Sequence, residues 1–466
     1  MTFTHAVIGT IIVTMRHSCG ALRWRLARVL MMTVTTSSFA GAFQPNYVRN
    51  QPLSSLSASS SSDEVSEGVV GSSRRRQALQ GMGGLVGGTI CWINPVQAAD
   101  SGAVPIQASW SAVDGLNSLQ DDRKFVSFDA SAYKAMKDDS SRTPLFQQAI
   151  FRRLGPRPEE CTVLDLGTGP FALFAIMAAE LGAGRVFAVE ANEQAAQLAR
   201  ENIERRGFSD VITVLEGFSS DITLPDGIKA DFCVAEIVGS IATEEGAYAT
   251  VVDAHARLLK RPELSSSWIP CQIQTYGAPV SYTLHNMFGP PEFDWNKLKG
   301  EPVRFNCRDK GLELLSDPVL VEDVTFSSIS NKDQIALASK PKKLEFVIDA
   351  NRIERNEVDL YDEFKRGNLS KQQCTDLARE TAHSLSGIAF WPRLILDDTT
   401  VIDSRHYGDG NHQKSHWQTV LPIMAGRPVP DLVGGERVSV NAQFNWSTDV
   451  SKPCTYRLDG TVTRSA

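Results

Sequence analysis

The stretch "CTVLDLGTGPFALFAIMAAELGAGRVFAVEAN", residues 161–192, decides the fold. An apolar strand over Thr162–Leu166 runs into a glycine-rich turn, and a helical pattern follows. A second apolar strand over Arg185–Val189 then ends at the acid Glu190. Strand, glycines, helix, strand and terminal acid in this order predict a βαβ unit whose first loop lets the backbone approach a nucleotide.

The sequence after this unit continues in the same style and then changes. Two more apolar strands are predicted over Val211–Leu215 and Ala230–Ile237, followed by an amphipathic helix over Tyr248–Lys260. From about Ser267 onward the pattern alternates between apolar and polar residues, as in "VSVNAQFNWS", with a helical insert over Ser370–Ala382. We therefore expect an α/β domain followed by a domain rich in antiparallel strands.

Length and charge limit the classes of function. The chain has 466 residues, 42% of them hydrophobic, which is enough for two or three domains with sizeable cores. Residues 1–99 contain eight arginines and three acids, which leaves 39 basic and 51 acidic residues, a net charge of −12, in the remainder. This acidic charge argues against nucleic acid as a partner and favours basic substrates. The alternative is that the acidic surface only keeps the protein soluble.

The cysteine pattern argues against a metal site. Eight cysteines are spread singly along the chain, and no Cys-x-x-Cys pair or His/Cys cluster has metal-binding spacing. Cys161 and Cys233 lie in strand-like apolar runs, where a reduced thiol packs as a small hydrophobe. We predict neither a bound metal nor a disulfide framework.

Two targeting-like segments occupy the first hundred residues. Arg23–Gln44 combines arginines, the apolar run "VLMMTV" and small residues, as in a secretory signal. Its "AGAF" junction and the serine-rich stretch Ser54–Ser62 resemble the bipartite plastid presequences of algae. "SSRRRQALQGMGGLVGGTICWINPVQAAD" then resembles a twin-arginine signal, which in a plastid points to the thylakoid lumen; the alternative is a solvated basic linker. From these resemblances we predict a plastid protein whose mature chain begins near Asp100. Neither apolar run reaches the roughly 20 residues of a membrane span, so we expect no stable membrane anchor.

The glycine-rich motif favours one cofactor. "LDLGTG" lacks the Gly-x-Gly-x-x-Gly spacing of a dinucleotide site and resembles motif I of S-adenosylmethionine-dependent methyltransferases. The resemblance implies S-adenosylmethionine, with Glu190 on the ribose hydroxyls and Ser220 with Asp221 on the adenine amino group. The implied cofactor-binding residues are Met136, Arg142, Asp165, Gly167, Gly169, Glu190, Ser220, Asp221 and Glu236. Phe171 departs from the motif, because it occupies the place of the family's third glycine.

The stretch "VAEIVGSIATEEGAY", residues 234–248, places three carboxylates around a turn. A carboxylate that leaves water requires a cation or strong donors. The stretch resembles the loop of protein arginine methyltransferases that carries two glutamates nine residues apart, here Glu236 and Glu245. The resemblance implies that these two clamp a substrate guanidinium and polarise its attacking nitrogen, and it leaves Glu244 as a surface neighbour. The alternative is a charge pair at a helix N-terminus.

Two distant stretches resemble the same family. "AYKAMKDDSSRTPLFQQAI" is similar to its lid helices, in which Met136 would touch the sulfur region of the cofactor and Arg142 would pair with its carboxylate. "KSHWQTVLP" is similar to its Thr-His-Trp loop, which assigns His416 to catalysis and Trp417 to the substrate side, with a place in the core as the alternative for Trp417. "FDASAYKAMKDD" and "RGFSDVITV" look most like the monomethylating branch.

The same resemblance links His416 with Asp139, which lies three residues before Arg142. It implies that the carboxylate favours the charged form of the histidine, and that the pair passes a proton from the substrate arginine towards solvent. The alternative is a structural histidine that closes one domain against the other.

The expected protein is α/β, with a Rossmann-like methyltransferase domain followed by a C-terminal β-barrel. We predict a presequence over residues 1–99, lid helices over 100–155, the Rossmann-like domain over 156–266, and a β-barrel substrate domain with insertions over 267–466. The resemblance implies a protein substrate with exposed arginines and is compatible with a homodimer.

Two other functions stay open. Methyl transfer to a small molecule is favoured by Phe171 and by Phe125 and Phe128, which replace the tyrosines usual in the lid. A non-catalytic relative that keeps the fold as a binding module is the third hypothesis. Asp165 also has an alternative role, as a brace of its own loop.

Overall fold

The computed structural model describes residues 103–112, 116–118, 124–126, 130–289, 293–298, 301–306, 311–330, 340–367, 369–405, 415–447, 449 and 453–464. The presequence predicted over residues 1–99, Phe128 and the side chain of Phe125 lie outside this description. Within the described ranges, no helix combines the length and the apolar character that crossing a membrane requires.

The bounds of the elements are as follows. The strands are β1 (Ala103–Ser111), β2 (Leu116–Ser118), β3 (Lys124–Val126), β4 (Thr162–Leu166), β5 (Arg185–Glu190), β6 (Ile212–Glu216), β7 (Phe232–Ala235), β8 (Trp268–Ile269), β9 (Gln272–Tyr282), β10 (Val303–Asn306), β11 (Leu312–Leu314), β12 (Val319–Thr325), β13 (Lys342–Val347), β14 (Gly387–Asp397), β15 (Thr400–Asp403), β16 (Gln418–Leu421), β17 (Arg437–Asn445) and β18 (Thr455–Thr463). The α-helices are α1 (Ala130–Lys137), α2 (Thr143–Leu154), α3 (Leu173–Glu180), α4 (Glu193–Arg206), α5 (Ala247–Arg257), α6 (Thr283–Met287), α7 (Ala350–Lys365) and α8 (Lys371–Ala382).

Five parallel strands form the nucleotide-binding half, in the order β6-β5-β4-β7-β8. Strand β7 reads FCVA and is buried throughout, as expected of a parallel strand inside a covered sheet. From β4 the chain continues to β5 and β6 on one side of that strand, and it then crosses to β7 and β8 on the other side. Such a reversal of strand order marks the crevice where α/β sheets bind ligands, at the carboxyl ends of the strands.

The predicted elements of this half agree with the structure to within a few residues. Strand β4 has the predicted bounds, and β7 is a shorter form of the strand predicted over Ala230–Ile237. Because β7 ends at Ala235, Glu236 opens the following loop. Helix α4 begins where the Asn192 side chain accepts a hydrogen bond from the Ala195 amide at 3.1 Å. The predicted α/β fold class is confirmed.

Two antiparallel sheets make up the C-terminal domain. One has the order β10-β16-β14-β9-β11, with β12 also on β9 and β15 also on β14, and the other has the order β1-β18-β17-β13. Their facing sides share one apolar core, in which the rings of Trp110, Phe390, Phe444 and Tyr456 meet. Along β17 and β18, buried residues alternate with more exposed ones, as the sequence pattern predicted.

The N-terminal segment differs from the prediction. Lid helices were expected over residues 100–155, and α1 and α2 fall in this range, but Ala103–Ser111 is strand β1 of the four-stranded sheet. All nine residues of β1 pair with β18, from Ala103 opposite Thr463 to Ser111 opposite Thr455. A partner this far along the chain leaves no local signal in the sequence, which explains the error.

Two helices interrupt the barrel between β13 and β14. Helix α8 corresponds to the predicted insert, and its start is fixed by a capping box between Ser370 and Gln373. Helix α7 was not predicted, although Ile353, Leu360 and Phe364 form a buried stripe on it. The pair packs on the barrel core and not on the nucleotide-binding half.

Candidate active site

The glycine-rich loop after β4 is shaped by its backbone and braced by one carboxylate. Gly167 and Gly169 have φ angles of 74° and 65°, which residues with side chains rarely adopt. Asp165 accepts hydrogen bonds from the Thr168 hydroxyl at 2.6 Å and from the Ala175 amide at 3.0 Å. Burial raises the pKa of Asp165 to about 7, although these two bonds lower it. The structure thus places Asp165 as a brace of its own loop.

Glu190 ends β5 beside the same loop. Its Oε2 accepts a hydrogen bond from the Gly169 amide at 2.8 Å, and its Oε1 accepts one from the Asn192 amide at 2.8 Å. Burial raises the pKa of Glu190, and the backbone donors lower it less than burial raises it. Each carboxylate oxygen has two lone pairs, so both oxygens can still accept a ribose hydroxyl.

Ser220 and Asp221 lie in the turn after β6, on the same edge of the sheet. Both are exposed, and the Ser220 hydroxyl donates to Asp221 Oδ1 at 3.3 Å. They follow the carboxyl end of a parallel strand, which is the edge at which α/β sheets bind ligands.

Helix α1 lies against the glycine-rich loop. A Cβ built on Gly169 would meet Tyr133 Cε1 at 3.4 Å, so the tyrosine ring covers this glycine. The Lys137 ammonium lies 5.2 Å from the centre of the Phe171 ring. Phe171, the departure from the glycine motif, is therefore part of the contact between lid and loop. Sequence reasoning missed Tyr133, although an aromatic residue one helical turn before Met136 was a usable signal.

Arg142 forms a buried ion pair with Glu236, the first residue after β7. Their side chains are 3% and 9% exposed. Arg142 Nη1 donates to the Met136 carbonyl at 3.1 Å, and the guanidinium lies 4.9 Å from the centre of the Phe174 ring. Arg142 Nε is buried and has no hydrogen-bond partner in the described part of the chain. A cofactor carboxylate would satisfy this orphaned donor, so the residue fits the role that the sequence suggested.

The Glu244 side chain is only 9% exposed and is paired, so its expected place on the surface is wrong. Arg304 of β10 donates Nη1 to Oε1 and Nη2 to Oε2 of this glutamate, both at 3.1 Å. Glu244 Oε1 also accepts a hydrogen bond from the Ser240 amide at 2.6 Å. The partner lies 60 residues further along the chain, in the other domain, and no local pattern could have indicated it.

Glu245 differs from the other two glutamates. It is half-buried, and its carboxylate has no hydrogen-bond or ion-pair partner among the residues that the structure describes. Burial and the charges of Glu236 and Glu244 together raise the pKa of Glu245 to about 8, although the charges of Arg304 and Arg142 lower it. Of the three carboxylates in the loop, Glu245 is therefore the one without a cation.

Asp139 and His416 are in contact. Asp139 Oδ2 accepts hydrogen bonds from the His416 amide at 3.0 Å and from its Nδ1 at 2.9 Å, and Oδ1 accepts one from the Ser141 hydroxyl at 2.6 Å. Burial would raise the pKa of Asp139, but the bonds from His416 and Ser141 outweigh it and hold the pKa at about 2. Because the carboxylate is ionised, it fixes the proton of the histidine on Nδ1.

The expected charged form of His416 is not favoured. Burial lowers its pKa, and the bond to Asp139 raises it by less, while the charge of Arg142 lowers it again. The sequence predicted the partner correctly but not the burial, which decides the charge. His416 is therefore neutral, and its Nε2 carries the free lone pair.

Trp417 belongs to the core and not to an exposed substrate surface. It is 3% exposed, and its Nε1 donates to the carbonyl of Val238 at 2.8 Å. Val238 lies in the loop between β7 and α5 that carries the three glutamates, residues 236–246, here called the glutamate loop. Trp417 therefore fixes that loop against the barrel. This matches the alternative role considered for it.

Glu322 of β12 is a further residue of this region that sequence reasoning missed. Its carboxylate accepts hydrogen bonds from the hydroxyls of Thr243 and Thr275 and from Nε1 of Trp446. Thr243 precedes Glu245 by two residues, so the barrel holds the glutamate loop directly. Burial raises the pKa of Glu322, and these three donors lower it by less.

Within the described ranges, no group of three or more His, Cys, Asp or Glu side chains is placed to hold a metal ion.

Comparison with known proteins locates the similarity in the nucleotide-binding half. Residues 152–251 match the family of the ribosomal protein L11 methyltransferase (PrmA). The arginine N(omega)-methyltransferase of Streptomyces achromogenes subsp. streptozoticus is 40% identical over 149 residues, which is 32% of this chain and 39% of that protein. The probable protein arginine N-methyltransferase 6 of Arabidopsis thaliana is 31% identical over 150 residues, 32% of this chain and 33% of the relative.

The chain thus spans about two fifths of the length of these curated relatives, or less. Among solved structures, protein arginine methyltransferase 10 of Arabidopsis thaliana is 15% identical, with 72% of this chain and 98% of that chain covered and a TM-score of 0.49. That likeness is too distant to bear on function.

Proposed function

We propose that this chain, an S-adenosylmethionine-dependent class I methyltransferase of the protein arginine N-methyltransferase family, transfers a methyl group to an arginine guanidinium of a protein. The proposal rests on which of the three loop glutamates are paired with a cation. Arg142 neutralises Glu236 and Arg304 neutralises Glu244, whereas Glu245 has no cation in the described chain. A half-buried carboxylate left in this state favours a cation that arrives from outside.

The residues around the glycine-rich loop fit S-adenosylmethionine. When bound, this cofactor supplies an electrophilic methyl group on a positively charged sulfur. The unpartnered Nε of Arg142 would bind its carboxylate, and the free lone pairs of Glu190 would accept the ribose hydroxyls. Ser220 and Asp221 would face the adenine amino group.

Glu236 and Glu245 would hold the substrate guanidinium together. Arg142 contacts Oε2 of Glu236 and leaves Oε1 for the substrate. A guanidinium has five donors in a planar fork, so two carboxylates can fix its plane and its rotation. Their negative charge draws positive charge away from the nitrogen that attacks, and the fixed geometry supplies the orientation that methyl transfer needs.

His416 would accept the proton that the arginine loses. Asp139 fixes the proton of the ring on Nδ1, and burial keeps the histidine neutral, so Nε2 is free to act as a base. The carboxylate of Asp139 would then stabilise the histidinium that forms.

The test is transfer of a tritiated methyl group to an arginine-glycine-rich peptide. We expect wild type to label the peptide and E245Q to lose activity by roughly 10²-fold or more, because the amide cannot neutralise a guanidinium. E204Q is the matched control, since Glu204 is an exposed glutamate of α4. Equal labelling by E245Q and wild type would refute the glutamate clamp.

Free arginine is a second candidate acceptor. The Streptomyces relative at 40% identity is named for arginine and not for protein arginine. The same assay with free arginine in place of the peptide separates the two substrates. Label in arginine without label in peptide would assign the small molecule, and cofactor binding without transfer to either acceptor would point to a binding module.

A plastid location remains our prediction from the presequence. A fluorescent fusion of residues 1–110 tests it by showing whether the reporter enters plastids.

A further inference from the structure

The glutamate loop is tied to the barrel by an ion pair of defined geometry. The guanidinium of Arg304 and the carboxylate of Glu244 meet through two parallel hydrogen bonds of 3.1 Å. The side chains are 21% and 9% exposed, so water screens the pair only weakly. Paired bonds of this kind fix orientation as well as charge.

The loop backbone holds Glu244 from the other side. The Ser240 amide donates to Oε1 at 2.6 Å, and a Cβ on Gly239 would lie only 2.2 Å from Glu244 Cγ. The Glu244 side chain is therefore folded over Gly239, a position that only glycine leaves open. It points to Arg304 and is held away from the place of the substrate.

Four charged groups surround Glu245. Glu236 comes from the end of β7, Glu244 from the same loop, Arg304 from β10, and Arg142 from the residue before α2. They form two ion pairs, one between Arg142 and Glu236 and one between Arg304 and Glu244. In each pair, the arginine offsets the charge of a glutamate that would otherwise repel the Glu245 carboxylate.

We propose that Arg304 is a positioning residue of the active site, which neutralises and fixes Glu244 so that this glutamate does not compete with Glu236 and Glu245 for the incoming guanidinium. The inference rests on the proposed function, because it concerns the substrate side of that site. Without Arg304, Glu244 becomes a second unpaired carboxylate beside Glu245. Its charge then opposes ionisation of Glu245, and its side chain competes for the substrate in a non-productive position.

The test compares four full-length proteins, namely wild type, R304Q, E244Q and the double variant R304Q/E244Q. The measurement is kcat/KM for the peptide between about pH 6 and 10, because this quantity reports ionisations of the free enzyme. We expect R304Q to move the midpoint of the rise with pH upward by about one unit and to lower kcat/KM at neutral pH roughly tenfold. E244Q should move the midpoint downward, since it removes a like charge and leaves Arg304 in place.

The double variant separates charge from bracing. If Arg304 acts through the charge of Glu244, removing that charge as well should bring the midpoint back to within about half a unit of wild type. A double variant as impaired as R304Q would assign Arg304 a merely structural role and overturn the proposal. R304K should recover part of the lost activity, because lysine keeps the charge but not the paired bonds. Should R304Q fail to fold, an unchanged midpoint in E244Q would also refute the proposal.

Cofactor affinity and carboxylate titration distinguish this proposal from the proposed function. Calorimetric affinity for S-adenosylmethionine should stay within about twofold of wild type in every variant, since Arg304 lies on β10 of the barrel and pairs with Glu244. If wild type methylates neither peptide nor arginine, the proposed function fails. The titration midpoint of Glu245, followed by carbon NMR and identified by its loss in E245Q, then still tests Arg304. It should shift in the same directions as the activity profile, and a midpoint equal in all variants would contradict the inference.

Discussion

Glu245 keeps its proton at neutral pH in the free protein, because burial and two neighbouring glutamates raise its pKa from 4.5 to about 8. An unfolded chain loses that proton near the lower value. The stability that this group contributes is therefore full below pH 4.5 and falls as the pH rises through 8. A carboxylate whose pKa is raised by burial therefore opposes folding once it is ionised.

We expect E245Q to be more stable than wild type at pH 8 by about 2 kcal/mol, a fraction of the full linkage because the side chain is only half-buried. Urea unfolding followed by circular dichroism at pH 6 and 8 measures this difference. E204Q should change the free energy of unfolding by less than about 0.5 kcal/mol at either pH. An E245Q protein no more stable than wild type at pH 8 would show that the pKa of Glu245 is not raised.

Single residues also show where sequence reasoning stops. The nine-residue spacing selected Glu236 and Glu245 as the proposed clamp, and the lid motif correctly paired Asp139 with His416, because these signals lie in short stretches. The charge of His416 could not be predicted, since it depends on burial. The pairing of Glu244 could not be predicted either, since Arg304 is contributed by another domain.

At the scale of elements, the loop between β7 and α5 is held from the barrel side. Glu322 lies where the pairing register between β12 and β9 shifts, and its carboxylate accepts three side-chain hydrogen bonds there. One of them, Thr243, belongs to the loop. The geometry of the glutamates therefore depends on a strand of the other domain.

We expect E322Q to lower the free energy of unfolding by about 1–3 kcal/mol, because an NH₂ group replaces one of the two carboxylate oxygens that accept hydrogen bonds from buried donors. Peptide methylation should fall at least tenfold, since the loop loses its anchor, while affinity for S-adenosylmethionine stays within about twofold. The matched control is E345Q, which alters an exposed glutamate of β13. A parallel loss of cofactor affinity in E322Q would contradict a role confined to the glutamate loop.

The elements of the nucleotide-binding half were predictable because each strand and helix there has its own hydrophobic periodicity and is bounded by turn or capping residues. Helix α7 was missed because its apolar residues are separated by charged ones, although the buried stripe through Leu360 and Phe364 has helical spacing. Strand β1 carries no comparable signal, since its identity as a strand depends on β18.

At the scale of the whole molecule, the first described strand pairs with the last one. Trp110 of β1 stacks on Tyr456 of β18 with ring centres 5.0 Å apart, and it lies 6.3 Å from the ring of Phe390 in the other sheet. A single aromatic side chain thus joins three strands from distant parts of the chain.

We expect W110A to lower the free energy of unfolding by about 3–5 kcal/mol, the cost of removing a buried tryptophan from a packed core. Thermal unfolding measures the effect, and S109A, at an exposed position of the same strand, serves as the control. Cofactor affinity below the unfolding transition should be unchanged, because β1 is a strand of the four-stranded barrel sheet and not of the parallel sheet. If W110A unfolds at the temperature of wild type, β1 is not an integral part of the barrel.

The pairing of β1 with β18 also sets an order of events during synthesis. The parallel sheet is complete once residue 269 has emerged, whereas the sheet that contains β1 must wait for Thr455–Thr463. Arg304, Glu322 and His416, which anchor the glutamate loop or face it, emerge in the interval. A growing chain therefore completes its parallel sheet first, and the barrel that anchors the glutamate loop is complete only when its last strand has been made.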